Sequence, residues 1–530
     1  MKYKSKVIYT LIGLCLFWFL FLKLSGAFQS GFHFTDDHAI YQISDDLKAD
    51  GYWPTMKKWI SNDLEIRFRF FYYITYITKI YLWGDTFNNY YYYDLLHAML
   101  AASLLFLLGL KTFKGNRLLS LLFSFMSMMG MQVALWYRLG LGETEGLTCI
   151  LAACYIYTWD AKSMFSKILK YKLYFIFIIS GAMFKETFLI AIPAFTVWML
   201  YMKNQHLNWE IIKNNKLFCS VNILLVLIGL CCIKFLVGNQ TIGYAGYDGF
   251  SFKYIINIVK SAVWLFLLTN GFAISLGLML LFWVKNQSNT KLKILFKKFF
   301  SDFGFIIIFN ILLLGPQFVI YMKSTMTERY LIPSTLGPAL AVCFGLMYLL
   351  EHGQKYYKYA IIVSIFLATS QVGVAFYRTY LYACEGIKSN QMLDYIKENS
   401  DKNTPILIAA EPTIYYNEWL YSMKTYFKSS NNNRQNITQL LLLSKPEDQY
   451  ESYDKELIKY AREKFGIRTI EKLDSVPYKF IIAPAKNRLL LLSKSSSGIF
   501  KTHKRLLEYS DSYLVWEWDT AEVKNTEEKE

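Results

Sequence analysis

Residues 67–83 read RFRFFYYITYITKIYLW, and whether this stretch crosses a membrane decides the side of every later loop. Its uncharged part is only 70–78, which would reach roughly 14 Å against a hydrocarbon core of roughly 30 Å. Aromatic residues bracketed by Arg67, Arg69 and Lys79 suit a helix lying in the interface plane. We therefore read it as a juxtamembrane helix. On that reading, the loops at 111–117, 160–172, 203–216, 285–302 and 351–358 fall on one side, and each is net basic. The acidic loop after the first apolar run and the turn 140–146, with Glu143 and Glu145, fall on the other. A crossing at 67–83 would invert them all.

Toward the N-terminus, residues 7–24 (VIYTLIGLCLFWFLFLKL) span roughly 27 Å at about 1.5 Å per residue. Lys2, Lys4 and Lys6 precede them and predict a cytoplasmic start. No small-residue cleavage site follows, so the run reads as a retained span. Toward the C-terminus, apolar runs recur at 86–110, 118–137, 146–160, 172–184, 187–202, 217–237, 262–284, 303–321, 331–350 and 359–377. In the segment 173–202 the centre is Lys185-Glu186, and each limb is expected to reach only roughly 20–24 Å. That predicts a turn recessed below the outer surface, where ionisable groups face a water-filled cavity or each other. A Lys–Glu pair that merely closes the turn is the plainer alternative.

At 530 residues, 54% hydrophobic and 18% aromatic, the chain is too apolar for an ordinary soluble protein. Its net charge of +17 sits in short loops between apolar runs, which argues against a nucleic-acid partner. Of eight cysteines only Cys384 lies outside an apolar run, so neither a disulfide framework nor metal-ligand spacing follows. After residue 378 charge becomes mixed. Strand-like runs at 405–409, 439–444, 479–483, 489–492 and 513–518 alternate with helical stretches such as 387–399 and 454–465. The expected fold is mainly α: a polytopic transmembrane bundle of eleven spans over 1–377, with 25–85 as its first outer loop. A small extracytoplasmic α/β domain over 378–530 completes it.

Candidate chemistry begins at Asp36-Asp37, just beyond the first span. A carboxylate at its ordinary pKa can accept a proton from an attacking hydroxyl, and a second one beside it can orient the acceptor or hold a divalent cation. A solvated cap for the helix that follows is the plain reading of the pair. His38 is an accessory candidate. Arg67 and Arg69 suit phosphate recognition or simple interface anchoring. Arg329 and Tyr330, after Glu328, stand at another outer turn, where a guanidinium could neutralise a leaving phosphate or pair locally with Glu328. Arg138, Glu143 and Glu145 occupy a further outer turn. The triplets Asn239-Gln240-Thr241 and Asn436-Ile437-Thr438 are too common a pattern to argue from.

Taken in order, Asp36-Asp37, Asp46-Leu47, Gly51-Tyr52-Trp53-Pro54, Arg67-Phe68-Arg69, Leu82-Trp83-Gly84-Asp85, His97, Lys185-Glu186-Thr187 and Arg329-Tyr330-Leu331-Ile332-Pro333 form a pattern. Over roughly residues 1–350 it resembles the GT-C superfamily of integral-membrane glycosyltransferases that use polyprenyl-phosphate-linked sugars. The resemblance implies inverting transfer of a hexose or pentose to an extracytoplasmic glycan or glycolipid such as lipopolysaccharide. The short interior loops and single compact outer domain suggest a bacterial inner or plasma membrane. Asp36 would be the general base with Asp37 in support. Lys185, Arg329 and Arg67 or Arg69 would hold the donor phosphate, and Glu186 would position them or the sugar. Family members often carry Asp-Glu where this chain has Asp-Asp, and some need Mg or Mn while others need no metal. The division of labour and the metal are therefore left open. A flippase for lipid-linked saccharides and an oligosaccharide polymerase or ligase are the other readings, the former weakened by the lack of an inverted repeat.

Overall fold

The computed structural model describes residues 2–34, 37–65, 67–237, 251–287, 292–352, 354–411, 414–429, 432–434, 436–442, 455, 458–459, 462–463, 467–470, 480–484, 505–509 and 513–517. The chain divides into two compact units. One comprises Met1–Ser25, Met56–Thr78 and Tyr91–Tyr380, and the other Gly26–Thr55, Lys79–Tyr90 and Leu381–Glu530. Asp36, Asn239-Gln240-Thr241 and the strand-like run 489–492 lie outside the described residues.

Every expected apolar run is helical. In chain order the helices are α1 (Lys2–Leu24), α2 (His38–Asp50), α3 (Tyr52–Leu64), α4 (Phe70–Trp83), α5 (Phe87–Thr112), α6 (Arg117–Met128), α7 (Glu143–Tyr157), α8 (Met164–Ala182) and α9 (Glu186–Asn204). Then come α10 (Trp209–Asn214), α11 (Lys216–Leu236), α12 (Phe252–Phe266), α13 (Phe272–Lys285), α14 (Leu292–Ile320), α15 (Leu336–His352), α16 (Gln354–Glu398) and α17 (Ile414–Lys428). Among the described residues, α1, α5, α11, α14 and α16 are long and apolar enough to cross a membrane, while α6, α13 and α15 are apolar but shorter. The clearest is α11, whose most apolar window is only 6% buried. A helix so apolar and so exposed is suited to contact with lipid. The helix α4, expected from the sequence to be juxtamembrane, has 14 residues, about 21 Å at 1.5 Å per residue, too short to cross.

Two expected spans are broken. The run 118–137 ends as α6 at Met128 and resumes as a short 3-10 turn from Met131. The run 262–284 divides into α12 and α13 at Leu267–Gly271, with Asn270 and Gly271 both left-handed. The breaks satisfy one another. Asn270 Nδ2 donates to the carbonyls of Met126 (2.7 Å) and Met129 (2.6 Å), which the end of α6 frees. Gln132 Nε2 donates to the Met126 and Ser127 carbonyls, and Thr335 Oγ1 to Ser127. Away from water such carbonyls need partners, so an interruption survives only where side chains supply them. Gly130 has φ 98°, and a Cβ there would stand 3.0 Å from Asn270 Nδ2. Glycine meets both demands.

The second unit carries a six-stranded sheet: β1 (Ile406–Ala410), β2 (Ile437–Leu442), β3 (Arg468–Ile470), β4 (Phe480–Pro484), β5 (Arg505–Tyr509) and β6 (Tyr513–Glu517). Their order is β3-β2-β1-β4-β6-β5. The first four are parallel, while β6 pairs antiparallel with both β4 and β5. The central β1 (ILIAA) is buried throughout, as a parallel strand covered on both faces requires. Trp419, Leu420 and Met423 of α17 pack in its core with Met392 and Ile396 of α16. Four expected strands are found within two residues of their expected starts. The two missed, β3 and β5, are the edges of the sheet, where strands are short and polar enough to escape an apolar pattern.

Candidate functional site

In the first unit, charged side chains converge on the turn between α8 and α9. The helices flanking it each have 19 residues, longer than the apolar limbs read from the sequence, because α8 begins at Met164 and α9 continues to Asn204. The added turns of α8 carry Lys167, Lys170 and Lys172. Lys185 is 5% exposed and Glu143 6%. Lys185 Nζ meets Glu143 Oε1 at 2.6 Å. The Lys185 ammonium lies 4.7 Å from the Tyr330 ring centroid and 5.9 Å from that of Tyr321.

The backbone fixes this arrangement. Glu143 opens α7 directly after a turn whose Gly140 is left-handed (φ 71°). Tyr72 of α4 donates its hydroxyl to the Gly140 carbonyl at 2.7 Å. Phe71 N donates to Met183 O at 3.2 Å, and Phe68 N donates to Glu186 Oε1 at 2.9 Å. The loop 67–69 is thereby held against the α8–α9 turn. Arg69 and Asp63 form a fork, Nη2–Oδ1 2.5 Å and Nε–Oδ2 3.3 Å. Arg67, half-buried beside Arg69, is held below the ordinary arginine range by burial and then by Arg69, while Glu186 opposes. Arg329 stands beside Tyr330, Cζ 5.3 Å from the ring centroid. Glu328, considered above as a local partner for Arg329, is engaged by Arg138 Nη1 at 3.2 Å.

Electrostatics sharpen the cluster. Burial lowers the Lys185 ammonium to about 8. Glu143 opposes that shift, and Arg329 and Arg67 add to it. Burial alone would raise the Glu143 carboxyl, but Lys185 and then Arg329 overcome it and hold it down to about 2. The pair is thus charged at neutral pH and adjoins further cations. Adjoining the turn is an apolar cavity of about 420 Å³ lined by Phe68, Ala182, Met183, Leu189, Leu225 and Gly229, among others. Cations beside an apolar hollow can hold an anionic head joined to an apolar chain.

The other expected residues lie in the second unit. Asp37 is buried, and its Oδ2 accepts from His33 N at 2.9 Å. Its side chain makes no cap bond to α2, so it closes the preceding loop rather than capping the helix. His38 Nδ1 contacts Ser422 Oγ at 2.8 Å, and its ring stands edge-on to Tyr421 at 5.2 Å, tying α2 to α17. Sequence reasoning missed His33, which stacks on Tyr382 at 3.6 Å and contacts Ser30 Oγ at 2.5 Å. It also missed Asp63 and Tyr321. Asp63 had a usable signal, a carboxylate six residues before an arginine in an aromatic run. Tyr321 had none. Among the described residues, no three His, Cys, Asp or Glu side chains are grouped to hold a metal ion.

No protein-family model matches the chain, and no curated protein does. Among solved structures it is similar to ArnT from Cupriavidus metallidurans bound to undecaprenyl phosphate. That match has 12% identity and a TM-score of 0.47, covering 96% of this chain and 97% of that one. The apo state of the same protein matches at 12% identity and TM-score 0.45, covering 95% and 98%.

Proposed function

We propose that this membrane protein transfers a sugar from a polyprenyl-phosphate-linked donor to an extracytoplasmic glycan or glycolipid. The observation that carries the reading is the convergence of Lys185, Arg329 and Arg67 at one buried turn, whose neighbours in sequence Phe68, Ala182 and Met183 line an apolar cavity. A lipid phosphate asks for both features at once. In the reaction the acceptor hydroxyl attacks the anomeric carbon, a carboxylate takes its proton, and the bond from that carbon to the phosphate oxygen breaks. Polyprenyl phosphate leaves with the bonding electrons, and the configuration inverts. Lys185 and Arg329 neutralise the charge that grows on the departing phosphate, an effect worth about 3–4 kcal/mol for one well-placed donor.

Arg69 is already forked onto Asp63, so we assign it to holding the loop that presents Arg67. Glu186 has the same task through Phe68 N. Asp36 is the proposed base. Asp37, with one oxygen committed to His33 N, is the proposed support for that loop. A divalent cation at the Asp36-Asp37 loop remains compatible with this chemistry.

The test uses purified protein in nanodiscs with radiolabelled polyprenyl-phosphate monosaccharides and membrane glycolipid extracts, comparing wild type with Asp36→Asn. Transfer lost in the variant with donor binding retained supports the transferase and its base. Equal transfer in both removes Asp36 from the chemistry. Lipid translocation without any transfer, unchanged in the variant, would replace the reading with that of a flippase.

A further inference from the structure

At the ends of α8 and α9 remote from Lys185, a second cationic cluster has no part in the chemistry above. Lys170 lies twelve residues before the end of α8, roughly 18 Å along its axis, and Lys203 closes α9. Their ammonium groups approach a single aromatic ring, that of Tyr157 at the end of α7. Lys170 Nζ stands 5.1 Å from its centroid and Lys203 Nζ 5.9 Å. The two charges, on different helices, are thus no more than about 11 Å apart. Tyr157 cannot swing away, because it is buried and stacked on Phe218 at 4.4 Å. Lys170 Nζ also donates to the Trp159 carbonyl at 2.7 Å, which fixes its place. Burial and then the Lys203 ammonium disfavour the charge on Lys170, and the Asp160 carboxylate offsets this only in part.

We propose that Lys170, Lys203 and the Tyr157 ring form a binding site for the anionic phosphodiester headgroup of a bilayer phospholipid. Holding two ammonium groups over one ring costs mutual repulsion, and an anion between them relieves it. Keeping a loop on one side of a membrane needs only that its lysines be present, so topology does not account for this convergence. The surroundings favour a lipid over free phosphate. Trp159 and Tyr171 are exposed beside the site, as aromatic residues at a membrane interface are. Ile176 and Ile179 present apolar surface further along α8, in the direction acyl chains would run. Basic pockets between membrane helices are the sequence-independent way to hold such headgroups.

The test measures thermal unfolding of the full chain in a zwitterionic detergent, titrated with phosphatidylglycerol, phosphatidylcholine or inorganic phosphate. Phosphatidylglycerol should raise Tm saturably, and the other two should not. Lys170→Gln/Lys203→Gln should weaken the apparent lipid affinity by about 30-fold, from two surface-adjacent charges. Lys170→Arg/Lys203→Arg should retain the response, which separates loss of the site from misfolding. Lys111→Gln/Lys285→Gln removes the same charge elsewhere and should leave it intact. An equal loss in that control pair would overturn the site in favour of diffuse attraction. A matching shift from inorganic phosphate would overturn the lipid assignment.

Discussion

Replacing Lys185 by Met separates what the buried cluster does for stability from what it does for a phosphate. At 2.6 Å and an effective dielectric near 20, the attraction between Lys185 and Glu143 is about 6 kcal/mol. Desolvating two charges costs several kcal/mol each, so the pair is close to neutral against an apolar pair of the same volume. Removing one partner is different, because it strands the other charge. The general cost is about 3–5 kcal/mol, and Arg329, which also lowers the Glu143 carboxyl, should hold it near about 3. Lys185→Met/Glu143→Leu should regain most of that loss. Binding of polyprenyl phosphate should fall about 10- to 100-fold in both variants, because neither supplies the charge-assisted hydrogen bond. Denaturant unfolding in mixed micelles, followed by tryptophan fluorescence, gives the stabilities. Equilibrium binding of labelled lipid gives the affinities. If the double variant binds the lipid as wild type does, the cluster is structural and the phosphate assignment is wrong. If the single variant is as stable as wild type, the contact is not the buried ion pair described here.

Three further outcomes follow from the same geometry. Because burial lowers the Lys185 ammonium, it sheds its proton as pH rises through about 8, so lipid-phosphate binding should weaken above pH 8. Lys185→Arg should abolish that limb, and a wild-type affinity flat to pH 10 would contradict the assignment. Asp63→Asn should cost about 1–3 kcal/mol by stripping the fork from Arg69, and Arg69→Lys should cost nearly as much because one ammonium cannot take both oxygens. Unfolding midpoints of the two variants check this. Asn270→Leu should cost about 1–3 kcal/mol, since it orphans the buried Met129 carbonyl and leaves that of Met126 only its 3.3 Å bond from Gln132, and its unfolding midpoint tests that account of the broken α6.

Much of the helical layout was legible in the sequence because membrane-length apolar runs and basic loops are local signals. The run 67–83 could be kept out of the bilayer from its charge spacing alone, and α4 has the length that reading requires. Strands at 405–409 and 479–483 were legible because a covered parallel strand is apolar throughout, whereas the edge strands β3 and β5 carry no such mark. Lys185, Glu186, Arg329 and Arg67 could be singled out because charge beside apolar sequence is costly and therefore informative. Their partners could not. Glu143 lies 42 positions before Lys185, and Asn270 lies 144 after the Met126 carbonyl it satisfies. The plain alternative for Asp37, a cap on the following helix, is not what its side chain does, since it closes the loop before that helix. Composition and period record which residues are costly to bury. Which group offsets that cost is settled only when packed helices bring distant side chains within hydrogen-bonding reach, because that interaction acts over a few ångströms of space and carries no trace along the chain.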